Sequence, residues 1–186
     1  MPSHWQPFRI RSAQRQDLHK IVVVLLASFY PKVEATQWLY WLMKVGIQED
    51  IKGRMKTPAN QYACLVAATV DPHSAQDTGK IMGTAEISQR PCEAWKLFPP
   101  KRAYLSNLAI APNSRRQGAA QQLLQACESI ALGWGFHRIY LHVMADNAAA
   151  QALYEKAGYQ SCEVSNPILS SLGIRPERRL LFKRLH

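Results

Sequence analysis

Arg115-Arg116-Gln117-Gly118-Ala119-Ala120 is the stretch whose residue types and spacing could do chemistry. Glycine followed by two alanines lets the main chain itself, rather than a side chain, touch a ligand, and the two arginines bring charge to the same place. Ahead of it, Leu105-Ser106-Asn107-Leu108-Ala109-Ile110 reads as a short apolar strand, broken by Ala111-Pro112-Asn113-Ser114. Behind it a helical pattern puts Ala120, Leu123, Leu124, Cys127, Ile130 and Ala131 on one face. A strand that ends in a tight turn at a helix start leaves several N–H groups pointing outward, with the positive end of the helix dipole behind them. The spacing predicts an anion socket; taken alone, an ordinary strand-turn-helix connection would look the same.

The elements that must hold such a socket alternate between strand and helix along the chain. Phe8–Arg11 reads as a strand, and the helix from Arg15 has Leu18, Ile21, Val22, Leu25, Leu26 and Phe29 on its buried face before Pro31 ends it. A second helix is expected over about Glu34–Met55, its Trp38 and Trp41 packing against the core, with the lining of a substrate cleft as the alternative. Tyr62–Val70 and Lys80–Gln89 read as a hairpin with a turn-rich tip, and Arg90–Arg102 as an irregular loop. After the central strand and helix come a strand at Arg138–Met144, a helix at Ala148–Lys156 capped by Asp146-Asn147, a strand from Tyr159 to Val164, a loop from Ser165 to Pro176 and a basic strand from Arg178 to Leu185. This order predicts an α/β sandwich around a mixed sheet.

Composition narrows the setting. The chain has 186 residues, 47% of them hydrophobic, with no Pro/Gly/Ser-rich linker, so one compact domain is expected. Met1–Gln6 has no signal-peptide apolar region, and the run Ile21–Ala27 is far shorter than the ~20 residues a membrane span needs, so a soluble, cytoplasmic protein is expected. Cys64, Cys92, Cys127 and Cys162 are scattered without a C-x-x-C pair, which suits structural thiols in a reducing compartment and no metal. A net charge of +10 suits an anionic partner: a phosphorylated cofactor, an acidic surface or nucleic acid.

Two blocks together carry a resemblance. Leu108-Ala109-Ile110-x-Pro112-x-x-Arg115-x-x-Gly118-x-Ala120, followed by Asn147-x-x-Ala150-x-x-Leu153-Tyr154-x-Lys156-x-Gly158-Tyr159, resembles the Gcn5-related N-acetyltransferases, and the L-S-N-L-A-I strand with R-R-Q-G is similar to their plastid and cyanobacterial members. The resemblance implies a GNAT-like mixed central sheet with splayed fourth and fifth strands and helices on both faces, forming one N-acetyltransferase domain over residues 1–186. Acetyl-CoA is the implied cosubstrate, its pantetheine arm bonded along Leu108, Ala109 and Ile110 like an added strand and its diphosphate on Arg115, Arg116, Gln117, Gly118, Ala119 and Ala120. Asn147 and Tyr154 are implied contacts of the arm.

An acetyl thioester needs an unprotonated amine, whereas a lysine has pKa ~10.4 and a terminal amine ~7.7–8.0, so a base helps. The leaving thiolate needs a proton, which Tyr154, a phenol of pKa ~10, is suited to give. The resemblance implies a glutamate base on the fourth strand, as in many relatives, but Tyr104–Ile110 has no carboxylate. His142, on the strand beside the cofactor gap and titrating near neutral pH, is the expected substitute, with Glu86 in reserve and a water-mediated base left open. Tyr140-Leu141-His142-Val143 also resembles N-terminal amino-acid acetyltransferases, in which that histidine works with a fourth-strand tyrosine; Tyr104 is the matching candidate here. The acceptor is expected to be a protein lysine or N-terminal amine. A small-molecule amine, a sensor that binds acetyl-CoA without turnover, and nucleic-acid binding by the basic stretch Arg175–Arg184 are the alternatives.

Overall fold

A computed structural model describes residues 6–30, 37–92, 100–162 and 178–186. Of the loop expected over Arg90–Arg102, Arg90 and Pro91 and then Lys101 and Arg102 are strand instead, and residues 93–99 lie outside the described residues, as do Ser165–Pro176, Pro31 and the end of the strand expected over Tyr159–Val164. The elements run β1 (Phe8–Ser12), α1 (Leu18–Phe29), α2 (Gln37–Arg54), β2 (Tyr62–Val70), β3 (Asp77–Pro91), β4 (Lys101–Ile110), α3 (Ala119–Gly133), β5 (Arg138–Met144), α4 (Ala148–Lys156), β6 (Gln160–Ser161) and β7 (Arg178–Arg184). The seven strands take the order β1-β2-β3-β4-β5-β7-β6, with β4 and β5 parallel in a mixed sheet. This is the α/β architecture that the alternation of signals predicts. No helix among the described residues is long and apolar enough to cross a membrane.

The chain divides into two compact units, Met1–Ile87 with Asn107–Cys127 and Ser88–Ser106 with Glu128–His186. In the first, β2 is buried along nearly its whole length, as a central strand rich in Ala, Val and Leu should be. The apolar face of α1, Leu18, Ile21, Val22, Leu25 and Leu26, joins Tyr62, Cys64, Val66 and Ala109 in one core. The start of α1 is held by Asp17, buried to 2% exposure, which accepts from the Arg11 guanidinium at 2.6 and 3.1 Å and from Gln14 N at 2.8 Å.

Two expectations for this unit are overturned. Phe29 is 48% exposed rather than buried, because the helix ends there and its last residue passes the edge of the core. Trp38 and Trp41 are 68% and 65% exposed. Helix α2 is apolar on two opposite sides: Tyr40, Met43, Ile47 and Ile51 lie on the side that packs against the core, while Trp38, Trp41, Leu42 and Val45 point away from it. Only one of two such stripes can face the core, and the more aromatic one does not.

In the second unit β5 alternates strictly. Ile139, Leu141 and Val143 are buried, and Arg138, Tyr140, His142 and Met144 lie on the more open face. β5 pairs with β7 antiparallel, His142 opposite Leu180 and Met144 opposite Arg178, and its recorded pairing with β4 is Ala103 with Ile139 and Tyr104 with Tyr140.

Candidate active site

β4 carries candidate residues in both units, and a change of handedness separates them. Asn107 has φ +52°, in the left-handed region that asparagine tolerates better than most residues, in the middle of an otherwise extended strand. Its side-chain Nδ2 donates to Glu86 Oε1 at 2.8 Å. Glu86 is 1% exposed, and its carboxylate also accepts from Tyr62 Oη at 2.8 Å and lies 3.0 Å from Arg54 Nε. The reserve base is thus a buried carboxylate surrounded by donors, an arrangement that anchors the kink. Burial, followed by the Glu86 charge, pushes the Tyr62 phenol far up and the neighbouring Cys64 thiol up to about 12.

Beyond the kink, Leu108, Ala109 and Ile110 lead to the socket. Ala111 N donates to Met82 O at 2.7 Å, holding the strand end on β3, and Ile110 O accepts from Ser28 Oγ at 3.1 Å and Arg115 Nε at 3.4 Å. Gly83 makes this close packing possible: a Cβ there would stand 2.8 Å from Ala109 O and would overlap Ile110 Cδ1. Arg116 has φ +65° and Gly118 φ +82°, with Gln117 between them. Alternating handedness of this kind curls successive N–H groups into a concave nest for an anion. Among the described residues, no main-chain carbonyl is recorded as accepting from the amides of Arg116, Gln117, Gly118, Ala119 or Ala120, and the first helical bond runs from Gln122 N to Gly118 O. Ala119 is buried, Arg115, Arg116 and Gly118 are exposed, and Gln117 Oε1 accepts from Gln6 N at 3.3 Å. These residues fit a diphosphate.

The second unit holds the titratable candidates. Tyr104 Oη lies 2.6 Å from His142 Nδ1, with the rings tilted at 45°. Because Tyr104 is opposite Tyr140, and His142 is two residues further along β5, all three side chains share one face of the sheet. Burial of the ring lowers the His142 pKa from its ordinary value, and the charges of Arg102, Arg178 and Arg90 lower it further, so the imidazole is neutral at neutral pH. Which partner donates depends on the imidazole tautomer: with Nδ1 unprotonated the phenol donates to it, and the other ring nitrogen carries the proton. Tyr154 is buried against Tyr159, ring centroids 5.6 Å apart, and Asn147 caps α4 by accepting from Ala150 N at 3.1 Å.

Sequence reasoning did not single out Asn107, Arg90 or Arg102. Arg90 lies 3.9 Å over the Tyr104 ring, and Arg102 lies 5.9 Å from that ring and 5.2 Å from Tyr140. The alternation of Arg102 with Tyr104 on one strand face is the only signal that could have found one of them. Among the described residues no group of side chains is arranged to hold a metal ion.

A mixed sheet whose fourth strand leads into a main-chain anion nest suits a protein that binds a phosphorylated ligand. The chain belongs to the acetyltransferase (GNAT) family, whose family model matches residues 33–159. It is similar to GCN5-related N-acetyltransferase 10, chloroplastic, of Arabidopsis thaliana, with 26% identity over 185 residues covering 97% of this chain and 72% of that protein. It is also similar to N-alpha-acetyltransferase 30 of Schizosaccharomyces pombe, 38% identical over 58 residues, 31% of this chain and 39% of that one. Its fold resembles the paiA N-acetyltransferase of Thermoplasma acidophilum, solved with coenzyme A, at a TM-score of 0.69 and 15% identity, covering 95% of this chain and 98% of the other. The protein is an N-acetyltransferase of the acetyl-CoA-dependent class.

Proposed function

We propose that the chain acts as one N-acetyltransferase domain that moves an acetyl group from acetyl-CoA to a protein amine, a lysine side chain or an N-terminus. The observation that carries this reading is the 2.6 Å contact between Tyr104 Oη and His142 Nδ1. A neutral imidazole bonded to a phenol forms a relay: the attacking ammonium loses its proton to the Tyr104 oxygen while the phenol proton passes to Nδ1. The histidine then returns its proton to solvent, toward which its side chain is open.

Acetyl-CoA, when bound, supplies a thioester already activated toward attack. The nest at Arg116–Ala120 holds its diphosphate, with Arg115 and Arg116 adding charge, and the main chain of Leu108, Ala109 and Ile110 takes its amide-rich arm. Tyr154 protonates the departing thiolate and Asn147 steadies the arm. The likeness to the fission-yeast N-alpha-acetyltransferase favours a terminal amine among protein acceptors. The four free cysteines support a thiol-reducing compartment such as the cytoplasm.

Incubating the protein with acetyl-CoA and a peptide library carrying free termini and lysines, followed by mass spectrometry, tests the reading. Acetylated peptides that disappear with Tyr104→Phe or His142→Ala are the expected result. Tight acetyl-CoA binding without product would instead identify a sensor.

A further inference from the structure

The relay sits among guanidinium groups that pair with no carboxylate among the described residues. Arg102, Tyr104, Tyr140, His142 and Arg178 share one face of the sheet in the second unit, as their cross-strand pairing requires, and Arg90 lies on the Tyr104 ring. None of the ion pairs recorded among the described residues involves Arg90, Arg102 or Arg178. Among the described residues the one side-chain hydrogen bond of the three is from Arg90 Nε to Ser88 Oγ at 3.3 Å, and Arg102 Nε is buried with no acceptor. Arg138 and Arg184, opposite one another, extend the same face, whose described β5 and β7 positions include no acid.

Three guanidiniums beside an acid-base pair, with no carboxylate partner among the described residues, repel a polycationic acceptor and attract an anion. A guanidinium offers planar paired donors that match a carboxylate. The geometry points to an acidic peptide as the acceptor: the amine that Tyr104 and His142 deprotonate lies next to an Asp or Glu side chain, which Arg102 and Arg178 receive. This rests on the protein-amine reading above and narrows it. Polyamines and other multiply charged cations are poor substrates on this account, since they would bring ammonium groups into a field of one sign.

The test uses matched peptides that differ only at the residue beside the acceptor amine, Asp, Gln or Lys, with acetyl-CoA at saturation. The Asp peptide should exceed the Lys peptide in kcat/KM by about tenfold or more, the effect of one charge-assisted contact. Arg178→Gln and Arg102→Gln should each shrink the Asp-over-Gln ratio several-fold, acting on KM for the peptide, while KM for acetyl-CoA stays as in the parent. Arg178→Glu should shift the preference toward the Lys peptide. Transfer with no preference among the three peptides, or a preference indifferent to all three substitutions, overturns the inference and leaves the protein-amine reading standing. Absence of transfer to any peptide defeats that reading, and this inference with it. A variant that melts early is replaced in the comparison by the other arginine's variant.

Discussion

Asn107 donates to Glu86 across 2.8 Å, and in doing so fixes the one left-handed residue of β4. The strand changes course where a polar side chain can be tied to a buried carboxylate, not where a glycine would allow it passively. Asn107→Gly keeps the backbone angle and loses the tie, whereas Asn107→Ala loses both. A hydrogen bond to a charged group contributes about 1.5–3 kcal/mol, and left-handed backbone costs a β-carbon residue about 1–2 kcal/mol. Urea unfolding should therefore rank Asn107→Ala below Asn107→Gly, and both below the parent. Equal stability of the two variants would refute the backbone argument.

Gly118 offers a cleaner test of the nest. A Cβ there would meet nothing within 4 Å, so Gly118→Val costs the ligand-free protein only its φ of +82°, on the order of 1–2 kcal/mol. A side chain in the concavity should nevertheless weaken acetyl-CoA at least tenfold by calorimetry. Unchanged affinity in a folded variant would place the diphosphate elsewhere.

On the proposed relay, the acid limb of activity should report on His142. Its pKa is depressed, so the neutral ring persists below the ordinary value of ~6.5, and activity should fall only as pH drops through that lower pKa. Arg102→Gln removes a positive neighbour and should move the limb upward in pH. His142→Ala should abolish the limb along with most turnover, a loss of about 10²-fold or more.

Tyr154→Phe keeps the ring against Tyr159 and removes only the hydroxyl. If the phenol protonates the thiolate, kcat should drop by about 10²-fold while the Kd for acetyl-CoA moves little. Unaltered kcat in stopped-flow and steady-state assays would leave Tyr154 a packing residue.

Acid should also unfold the protein through Asp17. Burial alone would raise its pKa, but hydrogen bonds from Arg11 and Gln14 and the Arg11 charge outweigh burial and hold it below the usual carboxylate value. Stability from this pair is present above the unfolded pKa of ~3.9 and is lost as pH falls through the lower folded value. Asp17→Asn should flatten that part of the stability profile in denaturant titrations at stepped pH.

Elements whose ends carry local chemistry were legible in the sequence. β2 falls on its continuous apolar run, β5 on its mixed apolar and polar run, and α4 behind the Asn147 cap, since runs, caps and turns act within a few residues. The outward tryptophans of α2 were not, because a helix with two apolar sides gives periodicity no means of choosing between them. The socket residues could be named, yet the left-handed Arg116 that helps curl their amides is invisible to composition. Tyr104 and His142 could each be proposed, but their contact depends on strand register, set by packing between segments 38 residues apart.

The ring of Tyr104 bears Arg90 on its face and passes its hydroxyl to His142. If the proposed relay and acceptor preference hold, charge selection of the incoming chain and timing of its deprotonation are mounted on a single aromatic plate. A lineage that retunes one will disturb the other, and the range of acceptors and the working acidity of this enzyme should drift together.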